Sequence, residues 1–174
     1  MSETTEAAAP APAEAPAEPF ILFDLAGATY AVRSREVEQL EMIGSVTPVP
    51  NAPAFVDGVV SVRGRVIPVV NLRARFGFER VAFDLRSRLL VMRRDGRTVG
   101  FAVDSAREFA TLPAGAIQPP PEGIAELNGR YLEGVAHLGE RLVLILDMTD
   151  LFDPDAAEVP ATQPATAGAG EPDR

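Results

Sequence analysis

A chain of 174 residues, 47% of them hydrophobic, holds enough apolar material for one compact domain or two small ones sharing a core. The absence of cysteine excludes disulfides, thiolate metal sites and cysteine nucleophiles, and a formal charge of −9 weighs against nucleic acid, which calls for a basic face. The acid gathers at the ends: residues 1–19 carry Glu3, Glu6, Glu14 and Glu18 with no base, and residues 153–174 carry five acids against Arg174, so residues 20–152 are close to neutral.

Residues 1–19 are almost wholly Ala, Pro, Glu, Ser and Thr, too poor in apolar surface to offset their ordering entropy, and are expected to be disordered. The acidic stretch 153–174 has the same character. The start, MSETTEAAAP, has neither the basic nor the apolar region of a secretory signal, and no apolar run approaches the ~20 residues that span a bilayer, so a cytoplasmic protein without direct membrane insertion is expected. All 16 basic residues are arginine, which reads as compositional bias beside the abundant Ala and Pro.

Order is expected from Phe20. FILFDL, a break at Ala26-Gly27 and ATYAV form a hairpin pattern. Arg33–Met42 then reads as a short helix, with Ser34 as N-cap, Glu36 in the first turn, Val37 and Leu40 on one face, and Gly44 at the end. A Pro-containing loop, Ser45–Ala54, leads to a central hairpin, in which the runs Val59–Val62 and Val66–Val70 flank Arg63-Gly64. Pro68 predicts that the second of these strands lies at an edge, or starts or bulges there. The pattern then begins again: LLVMRR, the Asp95-Gly96 turn and RTVGFAV, a short stretch Asp104–Phe109, a Pro-rich loop Gln118–Pro121, and YLEGVAHLGERLVLILDMTDLF at 131–152.

That last stretch aligns without a gap on FVDGVVSVRGRVIPVVNLRARF at 55–76, at a constant offset of 76. Gly58 meets Gly134, Val59 meets Val135, Arg65 meets Arg141, Asp57 meets Glu133, Asn71 meets Asp147 and Phe76 meets Phe152. Such an internal duplication, with four or five short strands in each half, is best closed as two small antiparallel β-barrels packed side by side, which removes exposed edges and supplies a core that neither half has alone. The expected fold is all-β with short helices. The subdomains divide at 20–84 and 85–152, with exchange of strands between the barrels allowed for.

The catalytic inventory is poor. His137 is the single histidine, in a strand pattern between Ala136 and Leu138, and lacks the partners that a metal site or triad needs. No GxxxxGK[ST], GxGxxG or GxSxG motif occurs, and no carboxylate spacing points to a pair. A non-enzymatic interaction module without cofactor is the reading of the residues themselves. A nucleic-acid-binding barrel is the remote alternative, and 6% aromatic content and the near-neutral body weigh against it.

The pattern N-x-P-x-F-x-x-G-V-x-x-x-R-G-x-x-x-P-v-v-x-L-R-x-x-F, from Asn51 to Phe76, closely resembles the hallmark of the CheW coupling proteins of bacterial chemotaxis, a module shared with the regulatory domain of the kinase CheA. The likeness extends over residues 20–152, through FxxFxLxGxxYAV, RSREVEQLE, VGFAVD, the loop at Ile117-Gln118-Pro119 and YLEGVAHLGERLVLILD. It implies two SH3-like five-stranded β-barrels. It also implies an adaptor that joins chemoreceptor signalling tips to the regulatory domain of a CheA-type histidine kinase, at membrane-associated arrays reached through partners.

Carried over by position, the resemblance puts the receptor-facing arginine on Arg63, followed by Gly64, and a coupling valine on Val37, next to Glu38. It puts glycines whose loss disturbs function on Gly58, Gly100 and Gly134. For the glycines a structural role comes first, since glycine in a strand marks a bulge or a close backbone approach. Val37 divides evenly between core and docking face. The chain departs from the family pattern at Ser61-Val62, which replace Asn-Leu, and at Gln39, where an acid is common, with Glu38 and Glu41 nearby. These departures leave room for a chemosensory system of pili, surface motility or development, or for an array-accessory or localisation factor.

Overall fold

The computed structural model describes residues 16–123 and 131–152, so the expectations of disorder for 1–15 and 153–174 lie outside the described residues. Among the described residues ten strands follow one another: β1 Ala17–Leu25, β2 Ala28–Arg33, β3 Val37–Met42, β4 Val56–Val62, β5 Arg65–Asn71, β6 Arg88–Arg94, β7 Arg97–Val103, β8 Ser105–Pro113, β9 Leu132–Leu138 and β10 Arg141–Leu146. One α-helical turn, α1 at Leu72–Arg75, follows β5, with Asn71 as its N-cap accepting from the Ala74 N–H at 3.1 Å. Three of the hairpins turn on two left-handed residues, Ala26-Gly27, Arg63-Gly64 and Asp95-Gly96, the conformation that matches the right-handed twist of the flanking strands.

The strands sort into two five-stranded sheets, in the orders β8-β1-β2-β10-β9 and β3-β6-β7-β5-β4. The hairpin β1–β2 joins strands from the second half, and β6–β7 joins strands from the first. The exchange is reciprocal, so the sheets do not divide the chain at residue 84. It also replaces the all-antiparallel barrels expected from the sequence by mixed ones. Hairpins of different halves meet as parallel pairs, β10 with β2 and β5 with β7.

Each sheet then closes on itself through a single two-bond bridge. In the second sheet the chain leaving β3 returns at Thr47, whose N–H and carbonyl bond Val59 of β4, both at 2.8 Å. In the first sheet Gln118, beyond β8, does the same to Val135 of β9, again with two bonds of 2.8 Å. A β-bulge precedes each bridge, at Asp57 and at Glu133, and the chain leaving each barrel is tied alike: Asn71 N–H bonds the Phe55 carbonyl at 2.8 Å and Asp147 N–H bonds the Tyr131 carbonyl at 2.9 Å. Val59 and Val135, Asp57 and Glu133, Asn71 and Asp147, and Phe55 and Tyr131 all obey the offset of 76, whereas Thr47 and Gln118, outside the aligned stretch, do not.

Each barrel encloses seven buried residues. The first barrel holds Phe20, Leu22, Ala31, Leu112, Ala136, Val143 and Ile145, and the second Val60, Val62, Ile67, Val69, Leu89, Val91 and Ala102. Nineteen more form a single cluster between the barrels, including Phe23, Tyr30, Leu72, Leu90, Met92, Phe101 and Phe152. At about 1.5–3 kcal/mol for each large side chain removed from water, this joint core outweighs either barrel interior. Phe76 is stacked on Tyr131 at 5.4 Å and Arg75 lies over the Phe55 ring at 4.5 Å, so the exits of the two central hairpins seal the same interface.

Three further expectations need correction. The helix at Arg33–Met42 is a 3-10 turn at Ser34–Glu36 followed by strand β3. Val37 and Leu40 do share a face, but through a bulge: Val37 pairs with Met92 and Gln39 with Val91, leaving Glu38 as the extra residue, and an extra residue turns the strand spacing of two into three. Residues 17–19, expected to be disordered, belong to β1 and pair with Pro113, Leu112 and Thr111 of β8. Pro19 is tolerated because pairing with β2 begins only at Phe20. Strand β5 is internal rather than an edge, and Pro68 opposes Val59 without a bulge. Val59 spends its own N–H and carbonyl on Thr47, and the pairing of β5 with β7 starts at Val69, so no ladder partner misses the proline N–H.

The bridges predict the outcome of glycine replacement. A Cβ on Gly58 would lie 2.1 Å from the Thr47 carbonyl oxygen, and one on Gly134 would lie 2.5 Å from that of Gln118. Gly58 has in addition a φ of +145°, strained for any side chain. Gly58→Asp and Gly134→Asp should each cost more than about 3 kcal/mol in urea unfolding, with Gly58 the worse. A Cβ on Gly100 would lie 2.8 Å from Cγ and Cδ1 of Leu89, which is fully buried in the second barrel, so Gly100→Ala should destabilise as well. Unfolding midpoints unchanged in the first two would refute the closure role.

Candidate functional site

The residues singled out by the sequence gather on the second barrel, with Gly134 apart on the first. The gap between its edge strands β3 and β4 is bridged by Thr47 and then crossed by two ion pairs. Arg63 Nε donates to Glu41 Oε2 at 2.9 Å, and Arg65 Nη2 donates to Glu38 Oε1 at 3.0 Å. Sequence reasoning named Glu38 and Arg63 but not their true partners. The signal was the bulge, which lets Glu38 and Glu41 stand together along one edge, opposite two arginines spaced by one residue.

Arg63 occupies the first position of its turn with φ +50° and an exposed side chain. A bulky residue pays strain there that Asn or Gly would avoid. In the matching turn of the first barrel the chain has Gly139 instead, at φ +64°. The arginine is therefore a local departure from what the fold prefers. Gly64, at φ +84°, completes the turn with open space around it. Val37 begins β3 half-buried against the joint core, and Glu38 is exposed on the bulge. Gly100 lies in β7 beneath Leu89.

The first barrel has a comparable crossing: Arg141 meets Glu108 of β8 through two bonds of 3.0 and 2.9 Å, which hold the Glu108 carboxyl below the usual range. By strand register Glu108 corresponds to Gln39, so the second barrel has an amide where the first has a carboxylate. Its arginines are held by single bonds to two different acids. Exposed Val66 and Met42 lie on the strands that bear this charged cluster.

Elsewhere the polar contacts are structural. The Asp104 carboxylate, just past β7, accepts from Arg73 of α1 at 2.9 and 2.7 Å and from the Ala26 N–H at 2.9 Å, tying the second barrel to the β1–β2 turn of the first. Burial works to raise its pKa, but the Arg73 and Ala26 hydrogen bonds prevail and hold it below the ordinary carboxylate range. Arg33 donates to Glu133 at 2.5 and 2.7 Å and to Glu18 at 3.2 Å, with Arg35 also on Glu18. Asp57 accepts from Asn71 at 2.9 Å and from Arg80. His137 is exposed in β9, and no group of His, Asp and Glu able to hold a metal occurs among the described residues. Nor, among them, is any helix long and apolar enough to cross a membrane.

Three comparisons bear on this arrangement. The model of the CheW-like domain matches residues 19–155. The chemotaxis protein CheW of Klebsiella aerogenes is 32% identical over 133 residues, covering 76% of this chain and 80% of that one, and protein FrzA of Myxococcus xanthus is 30% identical over 120 residues, covering 69% and 74%. The crystal structure of the scaffolding protein TtCheW from Thermoanaerobacter tengcongensis superposes with a TM-score of 0.73 at 27% identity, covering 79% of this chain and 94% of that one.

The Asp104 contact predicts a pH signature. Its folded pKa is depressed, so its stabilisation is present above the ordinary carboxylate pKa of about 4 and is lost as pH falls through the lower folded value. Asp104→Asn should cost about 1–2 kcal/mol at pH 7 and progressively less on acidification below pH 4, read by thermal melts across that range. A deficit independent of pH would show that the loss is steric.

Proposed function

The chain belongs to the CheW-like domain family, and from that premise we propose that it is a non-enzymatic adaptor that couples chemoreceptor signalling tips to the regulatory domain of a CheA-type histidine kinase. The observation that carries this reading is the match over residues 19–155, which takes in every described strand from β2 to β10 and most of β1. It agrees with a surface that offers charge and exposed apolar side chains. The adaptor is expected in the cytoplasm, at membrane-associated receptor arrays reached through its partners.

In this reading Arg63, Glu38, Gly64 and Val37 form the receptor- or kinase-binding edge of the second barrel. Arg63 is the recognition group: an exposed guanidinium pairs with a partner carboxylate while its stem covers apolar surface. Its contact with Glu41 is a surface ion pair worth at most about 1 kcal/mol, small enough to be exchanged for a partner's acid. Gly58 and Gly100 support this barrel from within, through its closure and the packing of β7 on Leu89, and Gly134 serves the closure of the other barrel. A second reading, the same coupling role in a non-flagellar chemosensory system, has in its favour the similarity to protein FrzA.

Calorimetric titration with the regulatory domain of a CheA from the same genome should give saturable one-to-one binding. Arg63→Glu should keep its melting temperature to within about 1 kcal/mol of stability, the price of one surface pair turned repulsive, and abolish receptor coupling in a reconstituted kinase assay. No heat at several temperatures with both proteins folded would sink the adaptor role with that kinase. A large loss of melting temperature in Arg63→Glu would make the residue structural.

A further inference from the structure

Two ion pairs cross the gap between β3 and β4, and only one of them belongs to the plan that the barrels share. Arg65 with Glu38 has its counterpart in Arg141 with Glu108, where an arginine again begins the second strand of its hairpin and meets an acid of an edge strand. Arg63 with Glu41 has none. The offset of 76 puts Gly139 in the place of Arg63. Glu41 opposes Leu89 and Ala110 opposes Phe20, and Leu89 and Phe20 stand equally far before their turns, so Ala110 holds the place of Glu41. The first barrel lacks both members at once and still closes, through Gln118 and Val135. Closure is therefore not what this pair is for.

The two members are unequally held. Glu41 is fixed by its strand, opposite the fully buried Leu89, and its side chain is 24% exposed, whereas that of Arg63 stands on the turn and is 69% exposed. A single bond joins them, from Nε to Oε2 at 2.9 Å, and Nη1 and Nη2 of Arg63 make no hydrogen bond among the described residues. A guanidinium grips a carboxylate best through two parallel N–H groups, as Arg141 does with Glu108. The contact with Glu41 is a partial one, which offsets the charge of Arg63 and leaves most of its donors unused.

We propose that Glu41 is a specificity-determining residue of this edge, a resident carboxylate that a partner's acid must displace to engage Arg63. The inference rests on the reading of Arg63 as the recognition group. With Glu41 in place, an incoming carboxylate meets like charge beside the guanidinium, and like charge is what turns wrong partners away. An acid that approaches through one oxygen gains nothing over Glu41. One that presents both oxygens to two N–H groups makes the stronger, charge-assisted pair. The partner chemistry that fits is a carboxylate held rigidly enough to bind in this two-pronged way, not a diffuse acidic surface. Glu41 sets the threshold between the two.

The test titrates the full chain by calorimetry with the regulatory domain of a CheA, and with a soluble cytoplasmic fragment of a chemoreceptor, both from the same genome. Arg63→Ala identifies the titration that Arg63 serves. There Glu41→Gln, which keeps the shape and removes the charge, should tighten binding about threefold to fivefold, the worth of one surface pair. In the Arg63→Ala background the same replacement should change affinity by less than about twofold. Polyglutamate, an acid without fixed presentation, should compete poorly in the native chain and better in Glu41→Gln, and equal competition in both would overturn the selective role. Unchanged or weaker binding by Glu41→Gln, where Arg63→Ala does weaken it, overturns the inference and leaves the role of Arg63 standing. Equal tightening in both backgrounds overturns it too, as a general effect of lost negative charge. If Arg63→Ala weakens neither titration, the reading of Arg63 falls first and this inference with it.

Discussion

The architecture hangs on two short backbone bridges. A five-stranded sheet of this size has two unpaired edges, and each barrel resolves them with one residue, Thr47 against Val59 and Gln118 against Val135. Two hydrogen bonds on each side suffice because the returning chain approaches so closely that only glycine fits next to it, at 58 and at 134. The bulges at Asp57 and Glu133 aim the strand for that approach, and both bulged acids are engaged by arginines, Arg80 and Arg33. The joint core depends on this closure, since the outward faces that pack together exist only once each sheet has curled.

The duplication made much of this legible. Glycine, acid and asparagine or aspartate recur at one offset in both halves, and those residue types are the ones a bulge, a close approach and a capped exit require. The hairpins were legible for the same reason, because two-residue turns demand left-handed conformations that Gly27, Gly64 and Gly96 announce. What misled was local. Val37 and Leu40 are spaced as on a helix, and nothing in ten residues distinguishes a helical face from a bulged strand. Only the pairing with Leu90 and Met92, fifty residues away, decides the matter. Pro68 misled in the same way, because its cost depends on which neighbour needs its N–H, and that neighbour comes from the other half of the chain.

The candidate site was half legible. Arg63 stood out against its turn, since the matching place of the first barrel holds Gly139. Its engagement with Glu41, and that of Arg65 with Glu38, could not be read from spacing, since these pairs cross between the two edges of a closed sheet. The asymmetry of two barrels built on one plan is therefore informative in itself. Where they agree the fold is served, and where they differ, at Arg63 and Gln39, the shared plan does not account for the residue.

The reciprocal exchange of hairpins also bears on how the chain is made. Strand β1 has its register partners in β8, with Phe20 opposite Ala110, so the first hairpin to leave the ribosome finds its sheet only after roughly ninety further residues have followed. Contacts of such sequence separation slow folding, and until they form the apolar faces of β1 and β2 stay uncovered. The second sheet is different: β3 to β7 are consecutive in the chain and can close as soon as β7 is out. The order of synthesis thus favours the barrel that carries Arg63 as the template, onto which the first hairpin and the last strands assemble from opposite ends of the polypeptide.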